Sequence, residues 1–78
     1  MRDIIAELCH KQWSEWMKYV FGCCPYREDG TVAIPKWAVD RWKRQMETNY
    51  EDLPLEEKES DRKEADKFIT VFDAVWPF

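Results

Sequence analysis

The sequence predicts an all-α fold, a small three-helix domain with one ordered loop between the first two helices. Three stretches of the chain repeat apolar residues at the three-and-four spacing of one helical face. The four prolines and two glycines fall at or beyond the ends of these stretches, where helices start or stop. With 78 residues, the chain has room for a single domain, residues 1–78, and one modest core.

The first helix is predicted to run from about Asp3 to Phe21, with Asp3 able to cap its start and Gly22 placed to end it. Its apolar face is Ile5, Cys9, Trp13 and Val20, with Leu8 and Trp16 as alternative members. The tryptophans Trp13, Trp16 and Trp42 are interpreted as core, because aromatic residues at helical spacing are typical of packing.

The segment "GCCPYREDGTVAIP", Gly22 to Pro35, is the only substantial irregular stretch. Pro25, Pro35 and the pair Asp29-Gly30 predict turns within it. The residues "TVAI" predict either a lone short strand or one arm of a tight hairpin from Tyr26 to Ile34.

The second helix is predicted to begin with Pro35 at its first position and to continue to about Thr48. Trp37, Arg41 and Arg44 share one of its faces. A tryptophan between guanidinium groups can stack on a base while the arginines bind phosphate. The same trio is typical of a protein-interface anchor, or of a half-buried tryptophan beside two solvated arginines, and the sequence leaves all three open.

The third helix follows the connector "NYEDLP", with Pro54 in its first turn, and is predicted to end near Val75. Its apolar stripe is Ala65, Ile69 and Phe72, with Phe68 and Trp76 beside it. Leu55, Lys58 and Arg62 continue the same line toward the helix start, with Asp61 at its shoulder.

Two cations on the line of a predicted core need an explanation, because a partly buried arginine requires an anionic partner. An internal acid such as Glu15 or Asp40 could serve Arg62. A phosphate or carboxylate of a bound ligand near the helix N-terminus could also serve it. Both alternatives stay open at this stage.

The charge distribution excludes some partners. The net charge of −4 disfavours binding to duplex nucleic acid. Four cations against one acid in Pro35–Arg44 form a small basic island, whereas Glu51–Asp66 carries eight acids against three cations. This pattern favours a discrete anionic ligand over a polyanion. No apolar run reaches the length of a membrane span, and no signal peptide is apparent, so a cytoplasmic protein is expected.

Neither catalysis nor a bound metal or cofactor is expected. Three cysteines, Cys9, Cys23 and Cys24, are an odd number and are interpreted as reduced thiols. With His10 they do not follow the spacing of a zinc site. No third residue marks a Cys-His nucleophilic pair, and no glycine-rich phosphate loop is present.

The segment "NYEDLPLEEKESDRKEADKFI" resembles the end of the RyR domain, the ryanodine-receptor repeat. The matching residues are Tyr50, Leu53, Pro54, Glu57, Lys58, Asp61 and Arg62, and in the first helix His10 and Trp13. The resemblance covers about Ile4–Phe21 and Tyr50–Phe72. The middle of the chain departs from the family, since its aromatic-Tyr-Gly loop and His-Pro step are not visible.

The resemblance implies a non-enzymatic helical binding module, which in bacteria is linked to nucleotide-signalled conflict systems. We therefore expect an anionic, nucleotide-like ligand, such as an immune messenger sequestered by a phage protein in the host cytoplasm. Lys58 and Arg62 would bind phosphate, Asp61 would orient Arg62, and Trp37 or Tyr50 would stack on the base. Arg41 and Arg44 would complete the positively charged rim of this binding site.

The alternative is a protein-protein interaction adaptor or inhibitor that uses Trp37, Arg41, Arg44 and the tail Trp76–Phe78. The apolar tail either folds back or docks on a second subunit, and the second option predicts a homodimer.

Overall fold

Three α-helices make up most of the computed structural model, which describes residues 1–75. They are α1 (Arg2–Cys23), α2 (Lys36–Glu47) and α3 (Leu55–Val75), with a short 3-10 turn at Tyr50–Asp52 before α3. No β-strand occurs within this range. The prediction of an all-α, three-helix fold is therefore confirmed.

The helix α1 ends two residues later than predicted, and Gly22 does not stop it. Gly22 lies inside the helix, and the chain leaves it at Cys24, whose φ of −105° and ψ of 124° are extended. The reason is Pro25, because the residue before a proline is driven out of the helical region. At the other end, Asp3 lies in the first turn without capping it, where the helix dipole favours its charge.

Prolines precede the other two helices and accept their first hydrogen bonds. The carbonyl of Pro35 accepts from the amides of Ala38 and Val39, and the carbonyl of Pro54 accepts from Glu57 and Lys58, all at 3.0–3.1 Å. Both prolines therefore lie just outside the helices that they were predicted to open.

The loop between α1 and α2 is a tight turn with one antiparallel bridge, Tyr26 to Val32. Gly30 takes a positive φ of 87°, which a residue with a side chain rarely adopts. Asp29 accepts hydrogen bonds from the amide and hydroxyl of Thr31 at 2.9 and 2.6 Å. These bonds hold the pKa of Asp29 below its ordinary value. At the position of the predicted hairpin, the structure therefore has a tight turn closed by an antiparallel bridge, without regular strands.

The helices form a single flat layer. The principal-axis extents are 52 × 32 × 16 Å, and the radius of gyration is 16.0 Å. A compact domain of this length would have a radius of gyration of about 11.5 Å. Globular domains normally pack two or three layers around a core. One layer leaves both of its faces without a covering element.

Helices α1 and α3 lie side by side and are joined by polar contacts. The Gln12 side-chain amide donates to the carbonyl of Glu64 at 3.3 Å, and Lys67 bonds Glu15 at 3.1 Å. Helix α2 contacts α1 through Trp42. These contacts position the helices without enclosing a core between them.

The predicted core is consequently wrong. Among residues 1–75, the only buried apolar side chains are Cys24 and Ala38. Trp13 and Trp16 are 59% and 46% exposed, and Ile69 and Phe72 on the predicted stripe of α3 are about half exposed. The spacing of these residues correctly marks one face of a helix, but no second layer covers that face.

Candidate functional site

A groove of about 770 Å³ opens where the three helices meet. Helix α1 contributes Gln12, Glu15, Trp16 and Tyr19 to its lining, and α2 contributes Arg41, Trp42, Gln45 and Met46. The remaining lining residues are Leu53, which lies just before α3, and five residues of α3, namely Glu56, Glu57, Ser60, Asp61 and Glu64. We refer to these residues together as the groove.

Aromatic rings form one wall of the groove. Trp42 of α2 meets Trp16 of α1 edge to face, with ring centroids 5.5 Å apart, and its centroid lies 6.5 Å from that of Tyr19. Such tilted arrangements are the favoured geometry for aromatic pairs. The two α1 rings remain about half exposed. The wall therefore offers apolar area that the chain itself does not cover.

Carboxylates of α3 form another wall of the groove. Glu57, Asp61 and Glu64 follow one another at spacings of four and three residues, which puts them on one face of α3. Glu15 and Glu56 bring the carboxylates in the lining to five, against the single guanidinium of Arg41. Like charges at these spacings destabilise an isolated helix. The groove is thus acidic as well as aromatic.

One of these carboxylates holds α2 against α3. Arg44 donates to Glu57 Oε2 at 2.5 Å, and the Glu57 side chain is only 10% exposed. This bond holds the pKa of Glu57 below its ordinary value of 4.5, against the opposing effect of desolvation. The Gln45 side chain and the charge of Arg41 lower the pKa further. Glu57 is therefore ionised at neutral pH.

A second cation, Lys67 of α3, links α3 to α1. Lys67 bonds Glu64 Oε1 at 3.0 Å and Glu15 Oε2 at 3.1 Å. Glu64 and then Glu15 raise the pKa of Lys67, which therefore stays charged. Each of these glutamates uses only one oxygen in the contact. The ion pairs stabilise the helix arrangement but do not neutralise the groove.

The structure brings three of the sequence-predicted site residues together outside the groove. Arg62 Nε donates to the Tyr50 hydroxyl at 3.2 Å, and Lys58 Nζ lies 5.9 Å from the centroid of the Tyr50 ring. Arg62 also pairs with Glu59 one turn earlier on α3. The bond to Glu59, followed by the bond to Tyr50, raises the pKa of Arg62.

The internal partners predicted for Arg62 were wrong. Glu15 binds Lys67, and Asp40 binds Lys36 at 2.7 Å on α2. Asp61 was predicted to orient Arg62, but Glu59 and Tyr50 do so, and Asp61 lines the groove instead. The local i, i+3 pair forms readily because both members lie on α3, whereas the predicted partners lie on other helices.

The α2 trio is divided among different contacts. Trp37 is about half exposed, with its ring 6.4 Å from that of Trp42. Arg41 lines the groove, and Arg44 is bound to Glu57. The predicted tail Trp76–Phe78 lies outside the residues that the structure describes.

Three further observations concern the described residues. The three cysteines are free, and burial raises the pKa of Cys24, with the neighbouring Cys23 adding to the effect. Within residues 1–75, no group of three or more histidine, cysteine or acidic side chains is arranged to hold a metal ion. None of the helices in that range combines the length and the apolar character that a bilayer span requires.

The acidic wall is the feature that the sequence interpretation missed. Glu57 was matched only to the RyR domain, and Trp16 and Trp42 were assigned to a core. The signal was nevertheless present in the spacing of Glu57, Asp61 and Glu64. A line of acids along one helical face predicts a cationic neighbour when the sequence places no cation among them.

Fold and site together define a single-layer helical chain with an open, acidic, aromatic-walled groove. No family model, curated protein or solved structure matches the chain. The resemblance to the RyR domain therefore stays a prediction.

Proposed function

We propose that this chain is a non-enzymatic protein-binding module that uses its groove to hold a segment of another polypeptide. The observation that carries the proposal is the aromatic wall, where Trp16 and Tyr19 are half exposed on a concave surface. Contiguous exposed apolar surface rimmed by polar residues is characteristic of interaction sites. Tryptophan and tyrosine are also the residues most enriched at the energetic centres of interfaces.

The exposed area agrees with this role. The chain exposes 6597 Å². A compact protein of 9.5 kDa would expose about 5,000 Å². The chain thus exposes roughly 1,500 Å² more than a compact protein of its mass. Each partner in a standard interface buries about 800 Å², which is less than this difference. The area therefore suffices for an interface of standard size.

Solution scattering coupled to light scattering on the isolated 78-residue chain tests this proposal. We expect a monomer with a radius of gyration near 16.0 Å, since nothing in the described chain covers its flat layer. A compact monomer with a radius near 11.5 Å would contradict the proposal, because the groove would then be closed. A mass twice that of the monomer would support the homodimer that the sequence predicts.

The nucleotide hypothesis is a second candidate, and one observation favours it. Tyr50, Lys58 and Arg62 form a cluster in which two cations flank a phenol ring that is about half exposed. A base could stack on such a ring while phosphate binds the cations. The ion pair of Arg62 with Glu59 competes with this use of its charge.

A thermal-shift screen with mono-, di- and cyclic nucleotides tests the second candidate. A ligand that binds only the folded chain at a hundredfold excess over its Kd stabilises it by about 2.7 kcal/mol, which raises the melting temperature of a chain of this length by about 10 °C or more. We expect Arg62→Ala to abolish the shift and Lys11→Ala, on α1, to retain it. The absence of any shift would show that the cluster is purely structural.

A further inference from the structure

Two carboxylate oxygens in the groove are buried without a hydrogen-bond partner among residues 1–75. They are Glu57 Oε1 and Glu64 Oε2. Each belongs to a glutamate whose other oxygen is already bonded, to Arg44 and to Lys67 respectively. A buried acceptor without a donor is unfavourable, and native structures leave few of them. Both residues line the groove, so rotation of either side chain would bring its unbonded oxygen within reach of an external donor.

The donor that this surface fits is a cation. Neither Glu56 nor Asp61 forms an ion pair within the described part of the chain. These two carboxylates give the groove negative charge that no cation of the described chain pairs with, and Glu57 and Glu64 each add an unbonded oxygen. Lysine and arginine supply several N–H donors and a positive charge on a long apolar stem. The aromatic wall suits such stems, and its ring faces attract cations.

The same charges exclude two other occupants. A second copy docked groove to groove would set five carboxylates against five, and on each side only Arg41, Arg44 and Lys67 would offset them. A phosphate ligand would meet the same repulsion. The acidic net charge of the chain, −4, opposes both as well. A basic partner is attracted by each of these carboxylates.

Building on the protein-binding role proposed above, we propose that the partner segment is a basic amphipathic helix. Its lysine or arginine side chains bind Glu57 and Glu64, and its apolar side chains cover Trp16 and Trp42. A helix about 10 Å wide can lie between two helices of the flat layer and supply the second layer that the chain lacks. Recognition of an amphipathic helix by a groove is a common mode of peptide binding.

Binding of a defined peptide to the full chain tests this assignment. The probe is a fluorescent amphipathic helix of leucine and lysine about 18 residues long, which is five turns. Matched peptides carry glutamine or glutamate in place of lysine. Fluorescence anisotropy should show binding of the lysine peptide alone, weakening as salt is raised.

Substitutions of the groove glutamates test which residues bind the lysine peptide. Glu57→Gln and Glu64→Gln should each weaken binding of the lysine peptide about tenfold or more, because each removes a partner of a desolvated charge pair. The control Glu28→Gln changes the net charge equally in the exposed turn between α1 and α2, and should leave the affinity unchanged. Glu64→Gln serves as the second variant because it leaves the bond between Arg44 and Glu57 in place.

The outcomes separate this inference from the proposed function. Equal binding of the glutamine and lysine peptides would overturn the basic partner and leave protein binding by the groove intact. Equal weakening by Glu28→Gln and Glu57→Gln would overturn the assigned contact, since the attraction would then come from net charge alone. Binding of none of the peptides would overturn the inference, and the scattering result would decide the proposed function separately.

Discussion

Replacing Trp42 by alanine is expected to lower the free energy of unfolding by about 2 to 3 kcal/mol, somewhat below the cost for a fully buried tryptophan. Trp42 is the ring that joins α2 to α1, since it contacts Trp16 and Tyr19 across the two helices. Its loss removes both the packing area and the favourable ring geometry. Urea denaturation followed by circular dichroism measures the change.

The matched control is Trp13→Ala. Trp13 is 59% exposed. Among residues 1–75, its ring stacks only on that of His10, which lies on the same helix, with centroids 6.1 Å apart. Its replacement should change stability by no more than about 0.5 kcal/mol, as is usual at exposed positions. Equal losses for the two variants would contradict the role of Trp42 as the contact between helices. Trp42→Ala should also weaken binding of the basic peptide, because that side chain forms part of the groove wall.

Arg44→Ala is expected to be the most destabilising substitution at any ion pair of the described chain. It leaves the Glu57 carboxylate, 10% exposed, without the cation that binds it. An uncompensated charge in a poorly solvated site is more unfavourable than the loss of an exposed pair. Urea denaturation at neutral pH should therefore show a lower midpoint for the variant than for the parent.

The effect of Arg44→Ala should also depend on pH in a defined direction. In the parent, Arg44 holds the pKa of Glu57 below 4.5, so the pair stabilises the fold above that pH. This contribution is lost as the pH falls through the lowered value. In the variant, the largest cause of the lowered pKa is gone while desolvation still opposes ionisation, so the pKa of Glu57 is higher than in the parent and protonation relieves part of the destabilisation. The difference in stability between parent and variant should narrow as the pH falls from neutral to below 4.5.

Lys36→Ala is the control for this pH dependence. The pair of Lys36 with Asp40 has a comparable N–O distance of 2.7 Å, but its side chains are 87% and 62% exposed. Exposed pairs contribute little to stability. We expect a small change that is independent of pH. A difference for Arg44→Ala that is also independent of pH would show that Glu57 does not titrate with the predicted shift.

The helix positions were predictable because the signals that set them are local. The periodicity of apolar residues and the prolines at positions 25, 35 and 54 place all three helices within a few residues of their observed ends. The misplaced boundary at Gly22 has a local cause too, since Pro25 is the stronger signal. The turn at Asp29-Gly30 likewise follows from residues that adopt it readily.

The burial of those helices was not predictable in the same way. Periodicity shows that Trp13 and Trp16 lie along a helix face, but not whether another layer covers that face. The ion pairs of Lys67 with Glu15 and of Arg44 with Glu57 join residues from different helices, so their choice depends on the tertiary arrangement. The groove could be foreseen only in part, from the row of acids on α3.

The flat layer of helices has a consequence for the heat capacity of the chain. The heat-capacity change of unfolding grows with the apolar surface that becomes hydrated. Because the layer already half exposes several of its aromatic rings to water, unfolding of the isolated chain hydrates less additional apolar surface than unfolding of a compact domain of the same length. A large negative heat-capacity change should appear when a partner covers the groove, as is usual when apolar surface is buried on association. For this molecule, the calorimetric signature of a hydrophobic core would thus belong to the complex.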